Sequence, residues 1–356
     1  VSEALGVTFE EQDRSGVITL DRPGRLNALT REMFEAMTAT YARWAPAPQI
    51  YGVVMQSTHP KVFCSGGDLK VLNELNAQDA TDAVREFYRT AYTHVWALEK
   101  FIRPNVPLIN GLAFGGGIGI TLFGTHSVAG EGYRFAMPQV GIGFLPDIGG
   151  TYFLPRLMGW MGTYLALTGA SIGPADAHRL RLVSHYIPSA QFGVIKEAIA
   201  DNHPIDRLLD GLHRDPGEGE LVRHTPAINR IFSASSVEEI MSRLDAETGE
   251  DETWAKETAA ELRKKSPTSL KVAFKQMQRG KQLTLKEALK LEFRLASHIV
   301  ATHDFREGID ARIAGKGRPP QWQPARLEDV RDEDIDALFE TPVDGELELI
   351  EQDLVS

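Results

Sequence analysis

Cysteine is almost missing from this chain. Cys64 is the only one in 356 residues, which excludes an intramolecular disulfide framework and suits a reducing compartment, expected to be the cytoplasm. Long apolar runs are absent too: nothing approaches the ~20 residues that a bilayer-spanning helix needs, so no membrane partner is expected. The start, Val1-Ser-Glu-Ala-Leu5, has neither the basic opening nor the apolar block of a secretory leader. Positive charge is in deficit. Against 49 Asp and Glu stand 38 Lys and Arg, and the net charge of −11 argues against nonspecific nucleic-acid binding. It leaves open an anionic ligand whose phosphates are met by local groups. No G-x-G-x-x-G falls in register and no G-x-x-x-x-G-K-[ST] occurs, so Rossmann and P-loop readings fail. The ten histidines show no H-x-x-x-H or H-E-x-x-H spacing, and no metal site is expected.

What is present describes an ordinary globular protein, 42% apolar and 24% charged. Its length suggests one large domain with an appendage. Val7-Thr-Phe-Glu-Glu11 and Val17-Ile-Thr-Leu20 flank Asp13-Arg-Ser-Gly16, a hairpin pattern. Thr30 precedes apolar residues at 33, 34, 37, 41 and 44, a capped helix. Strand–turn–helix patterns repeat at Tyr51–Asp68 and Val106–Phe123, with short strands at Val128 and Tyr133–Ala136 and one helix over Thr151–Leu167. The fold class is therefore α/β. Residues 1–193 form this core. Residues 194–318 read as mainly helical, notably Thr268–Met277 and Leu285–Ala314, with a polar insertion or linker near 201–250. From 319 to 356 an acidic, proline-bearing stretch reads as a loosely packed, peripheral tail.

Two glycine loops carry the chemistry. Ser65-Gly-Gly-Asp68 and Gly115-Gly-Gly117 each follow a predicted strand and precede a predicted helix. Unpaired N–H groups at such turns can approach a ligand closely, because no Cβ intervenes. Two converging donors, Gly67 and Gly116, would hold an oxyanion, each worth roughly 3 kcal/mol of barrier. Either loop alone reads as a tight turn; the pair favours the oxyanion hole. Downstream, Phe135-Ala-Met-Pro-Gln139 and Leu145-Pro-Asp147 add an amide and a carboxylate. Asp147 fits a helix cap as well as it fits an acid, base or hydroxyl anchor. Gly169-Ala-Ser-Ile-Gly173 matches G-x-S-x-G, but a helix precedes Ser171 and Pro174 follows, so it reads as a loop serine. Cys64 reads as a small buried residue rather than a nucleophile.

These segments resemble the crotonase (enoyl-CoA hydratase/isomerase) superfamily, and within it the 3-hydroxyisobutyryl-CoA hydrolase branch. Leu20-Asp-Arg-Pro-Gly-Arg-Leu-Asn-Ala-Leu29 is similar to the N-terminal signature, Phe63–Leu69 to the first oxyanion loop and 111–121 to the second. Phe144–Arg156, Ser266–Lys271 and His303–Gly308 are similar to the hydrolase branch. The resemblance implies a crotonase-like spiral of ββα units with a helical C-terminal region, binding an acyl-CoA and using no cofactor beyond the CoA of the substrate. It places Gly67 and Gly116 as oxyanion donors, and Arg25, Leu26, Ser65 and Asp68 where the family touches CoA. It also implies valine catabolism as the setting and a trimer or hexamer as the assembly.

The departures are specific. The hydrolases carry Met-Pro-Glu where this chain has Met137-Pro138-Gln139, and an amide is neither nucleophile nor base at neutral pH. An earlier hydratase glutamate falls at Gly119, and a further pocket glutamate of the hydrolases at Ala91. Asp147 is the family acid that remains. The leading expectation is thioester hydrolysis of a short branched or hydroxylated acyl-CoA, with Asp147 and Gln139 as the catalytic pair. Alternatives are a hydratase or isomerase working through Asp147, or a catalytically silent acyl-CoA-binding protein.

Overall fold

The computed structural model describes residues 5–315, 318–342 and 345–350. Strands β1 (Val7–Gln12) and β2 (Ser15–Leu20) form the expected antiparallel hairpin. Helix α1 (Arg31–Trp44) starts at Thr30, whose hydroxyl accepts the Met33 N–H. Strands β3 (Gly52–Ser57) and β4 (Val62–Cys64) lead to α2 (Leu69–Ala77), capped by Asp68, and to the long α3 (Thr81–Lys100). Next come β5 (Asn105–Ile109), β6 (Leu112–Phe114), α4 (Gly116–Leu122), β7 (Val128–Ala129) and β8 (Arg134–Ala136). After α5 (Gly150–Phe153), α6 (Met161–Thr168) and α7 (Pro174–Arg179), the short β9 (His185–Tyr186) closes the sheet region.

From β3 onward, consecutive strands alternate between two sheets. One has the order β1-β2-β3-β5-β7-β9 and the other β4-β6-β8. Every strand pairing after the hairpin is parallel. Each winding thus adds a strand to both sheets, which is the spiral of ββα units. Parallel neighbours end on the same side. The carboxyl ends of β4, β6 and β8 therefore open side by side, where α/β proteins commonly bind ligands.

The remainder is helical: α8 (Phe192–Ala200), α9 (Ile205–Leu212), α10 (Thr225–Phe232), α11 (Val237–Asp245) and α12 (Glu252–Leu262). They are followed by α13 (Pro267–Gly280), α14 (Leu285–Ile299), α15 (His303–Ala314) and α16 (Asp332–Leu338). Two single helices expected from periodicity are each divided. Pro155 and Gly159 lie in the break between α5 and α6, and Thr302 restarts the chain as the cap of α15. Periodicity alone does not register a break that keeps the apolar face in phase.

The 201–250 stretch is not a free linker. Ile205 and Leu209 pack with Val54, Val106 and Val128 of the large sheet, and Ile228, Phe232 and Ile240 join the main core. The tail is peripheral in place but not loose. Val330, Ile335, Phe339, Leu347 and Leu349 are buried in that same core, and Trp322 is buried with its indole donating to the Lys264 carbonyl at 2.9 Å. The Trp96 indole donates to the Ile350 carbonyl and Arg89 to that of Glu346, tying the tail to α3. No described helix is long and apolar enough to cross a membrane.

Candidate active site

Three loops leave the small sheet together and border one cavity of about 400 Å³. The first follows β4. Gly66 has φ +99°, and a Cβ there would lie 3.0 Å from the Phe114 carbonyl oxygen and 3.4 Å from the Gly116 nitrogen. Only glycine lets the two loops come so close. Leu29 N–H donates to the Gly66 carbonyl at 2.8 Å, and Asp68 N–H to the Leu29 carbonyl at 2.9 Å. In extended chain successive groups alternate sides, so the Gly67 N–H faces away from Leu29.

The second loop follows β6. Gly116 is the first residue of α4, and its N–H has no acceptor within the helix. Neither the Gly67 nor the Gly116 N–H donates to another described residue. Both glycines line the cavity, and a Cβ on Gly116 would sit 3.4 Å from the Gly67 nitrogen. Two uncommitted donors therefore stand side by side on one wall, an arrangement able to hold a single oxyanion.

The third loop follows β8 and brings Gln139 and Asp147, both cavity-lining and both buried. Gln139 Nε2 donates to Asp147 Oδ1 at 3.0 Å, and the Tyr92 hydroxyl donates to Oδ2 at 2.9 Å. Burial pushes the Asp147 carboxyl up to about 6, against the pull of these two bonds to its ionised form. Gln139 Oε1 is buried and has no hydrogen-bond partner among the described residues. Asp147 thus belongs to a polar network and is not a helix cap, since α5 has no side-chain cap.

The turn carrying Asp147 is strained and braced. Ile148, a β-branched residue, has φ +57°, a conformation that costs on the order of 1–3 kcal/mol and persists only where the surroundings enforce it. Two C-terminal helices supply the enforcement. From α14, Glu292 accepts the Gly149 N–H and the Thr151 N–H, each at 2.8 Å. From α13, Gln276 Nε2 donates to the Pro146 carbonyl at 3.1 Å and to the Thr151 hydroxyl at 2.8 Å. Glu292 is fully buried. Burial, then the charge of Asp147, raises its carboxyl to about 8 against the N–H donors that lower it. Glu292→Ala would leave two buried N–H groups unpaired, and we expect a loss of about 2–4 kcal/mol in stability, read as a lower urea midpoint.

Tyr92, Gln276 and Glu292 do not follow from the motifs. One signal was present for Glu292: it interrupts an apolar stripe at 285, 289, 296 and 299, where a charge has no solvent to face. On α3, Phe87, Tyr88 and Ala91 share the cavity-facing side, and Tyr88 stacks on Phe144 with ring centroids 4.6 Å apart. Ala91 adds only a methyl group to that wall.

Of the four residues expected at CoA, Leu26 and Ser65 border the cavity, joined by the Ser65 N–H bond to the Leu26 carbonyl at 3.1 Å. Arg25 is exposed and outside the lining. The carboxylate of Asp68 is already committed. It pairs with Arg22 at 2.6 Å and caps α2 through the Lys70 and Val71 N–H groups. Cys64 is buried with its thiol pushed up to about 12, which leaves it unreactive. Ser171 lies between α6 and α7 rather than between a strand and a helix, so the hydrolase elbow is absent there. Gly119 has no room for an acid, because a Cβ would meet Ile148 Cγ1 at 2.0 Å. Among the described residues no group of three or more His, Cys, Asp or Glu could hold a metal ion.

A family model described as enoyl-CoA hydratase/isomerase matches residues 15–339. The mitochondrial 3-hydroxyisobutyryl-CoA hydrolase of Rattus norvegicus is 35% identical over 350 residues, covering 96% of this chain and 90% of its own. Two solved structures superimpose over nearly the whole chain. A carnitinyl-CoA dehydratase from Mycobacterium thermoresistibile has a TM-score of 0.91 at 30% identity, covering 98% of this chain and 99% of that one. An enoyl-CoA hydratase from Rhodobacter sphaeroides 2.4.1 has a TM-score of 0.89 at 32% identity, with 96% and 99% covered.

Proposed function

The chain belongs to the enoyl-CoA hydratase/isomerase family, and from that premise we propose that it hydrolyses the thioester of a short, branched or hydroxylated acyl-CoA. One observation carries the reading: the unpaired N–H groups of Gly67 and Gly116 border the same cavity as a buried carboxylate. The thioester carbonyl would lie between the two glycines, where negative charge develops as the carbon becomes tetrahedral. Asp147, ionised above about pH 6, would take the proton of the incoming water. Leu26 and Ser65 would flank the pantetheine arm, with exposed Arg25 available to a CoA phosphate. Asp68 would act there only through its backbone, since its carboxylate serves Arg22 and α2.

No cofactor is proposed beyond the CoA of the substrate. The rat relative's name supports 3-hydroxyisobutyryl-CoA as the first substrate to try, a thioester-release step in valine breakdown. A reducing compartment such as the cytoplasm is consistent with one buried, unpaired cysteine. Trimers or paired trimers are the expected assembly, to be read by sedimentation velocity.

A second reading draws on the names of the two solved relatives, a dehydratase and a hydratase. Addition or removal of water at the acyl chain would then rest on Asp147 alone, because Ile148 fills the space where an acid at 119 would stand. An acyl-CoA panel followed for free thiol and for product mass separates the two. Thiol release from 3-hydroxyisobutyryl-CoA supports hydrolysis. A mass change of one water with the thioester intact supports the second reading, and CoA binding without turnover supports the silent protein.

The pH dependence follows from Asp147. Its ionised form is the base, so kcat/KM is expected to fall as pH drops through about 6. Tyr92→Phe removes a bond that favours the ionised form. The acid limb should therefore move to higher pH, by about 0.5–1 unit for a hydrogen bond worth roughly 1 kcal/mol. An unmoved limb in that variant would rule out Asp147 as the titrating base.

A further inference from the structure

Part of the cavity wall is hydrocarbon. Phe34 from α1, Leu72 from α2, Phe87 and Ala91 from α3, and Phe144 all border it. Tyr88, on the same side of α3, adds a polar atom to this apolar stretch. Its ring is held by aromatic neighbours: it stacks on Phe144 at 4.6 Å and meets Phe87 and Phe305 edge-on at 5.3 and 6.4 Å between centroids. Tyr92, one helical turn further on, has already spent its hydroxyl on Asp147.

The Tyr88 hydroxyl has no such partner. It bonds to no described residue, and it is not one of the sealed, unpartnered polar atoms of the interior either. It therefore keeps open surface, and the space that Tyr88 borders is the cavity. Burial, then the charge of Asp147, pushes its ionisation well above the ordinary tyrosine value, so at neutral pH the group is an O–H donor. A polar donor set in an apolar wall fixes how a ligand lies. An acyl chain with an oxygen at that point accepts the O–H. An unsubstituted chain strips the hydroxyl of water and returns no bond, and a site built around a hydrogen bond rejects the analogue that lacks it.

We propose that Tyr88 sets the specificity of this cavity for acyl chains that bear a hydroxyl, by donating its O–H to that oxygen. The inference rests on the thioesterase reading above and narrows its substrate from branched or hydroxylated acyl groups to hydroxylated ones. No bond is made or broken at Tyr88. The chemistry stays with Asp147 and the two glycine N–H groups, and recognition of the acyl chain falls to α3.

The test compares thiol release from 3-hydroxyisobutyryl-CoA and isobutyryl-CoA, which differ by one hydroxyl, in the full-length protein and in Tyr88→Phe. Wild type should favour the hydroxylated thioester at least about tenfold in kcat/KM, and the variant should keep no more than about a third of that preference. The phenylalanine ring retains the stack on Phe144, so the two melting temperatures should coincide. A wild-type ratio near one, or a variant that keeps its preference, overturns the inference and leaves thioester hydrolysis standing. Equal losses on both substrates overturn it too, since they mark a general role for the side chain. Thiol release from neither substrate sinks the thioesterase reading. The inference is then decided by calorimetric dissociation constants of the same two thioesters, whose ratio must show the same change or the inference falls.

Discussion

Asp147→Asn is expected to lower kcat/KM for thioester hydrolysis by about 10²–10⁴-fold, the usual weight of a general base. Affinity for CoA and melting temperature should hold. The substitution keeps shape, and the network can rearrange around it: the asparagine carbonyl can accept the Gln139 Nε2–H, and its amide can donate to the Tyr92 oxygen. Removing a carboxylate whose burial raises its proton affinity also relieves a desolvation cost. The loss should therefore fall on turnover and not on the fold. Thiol release, calorimetric titration with CoA and a thermal melt together check this. Hydrolysis within threefold of wild type would remove Asp147 from the chemistry.

Gln139→Glu should move activity the other way, raising hydrolysis of 3-hydroxyisobutyryl-CoA by about 10²–10⁴-fold. The resemblance puts a family carboxylate at this position, and the replacement would supply a group able to attack or to accept a proton. Two carboxyls would then face each other at the 3.0 Å now spanned by Gln139 Nε2 and Asp147 Oδ1. Like charges that close do not both ionise, so the pair should share a proton and the pH optimum should rise. No gain on any hydroxylated acyl-CoA would mean that the cavity is shaped for other chemistry.

The parts of this site that were legible in the sequence lie on contiguous segments. The hairpin, the Thr30 cap, both glycine loops, Gln139 and Asp147 each announce themselves within about ten residues, because local backbone demands set their composition. That the two glycine N–H groups lie side by side needed one further fact, that β4 and β6 are neighbours in a parallel sheet. What stayed hidden is non-local. Glu292 and Gln276 reach the Asp147 turn across more than a hundred residues, and nothing near either marks its partner. Tyr92 sits on an ordinary amphipathic helix. The resemblance that puts Asp68 at CoA carries no sign that its carboxylate is taken up by Arg22 and the cap of α2, partners that only the fold reveals. The tail misled through composition. Its acids and prolines outnumber the few large apolar residues that anchor it.

The bracing of the Asp147 turn from α13 and α14 has a consequence for synthesis on the ribosome. A growing chain that has emerged only as far as β9 owns both glycine loops and the carboxylate itself, yet lacks the two side chains that hold Ile148 in its left-handed conformation. Thioester cleavage should switch on only after Glu292 has cleared the exit tunnel, so half-made molecules leave the cell's acyl-CoA untouched.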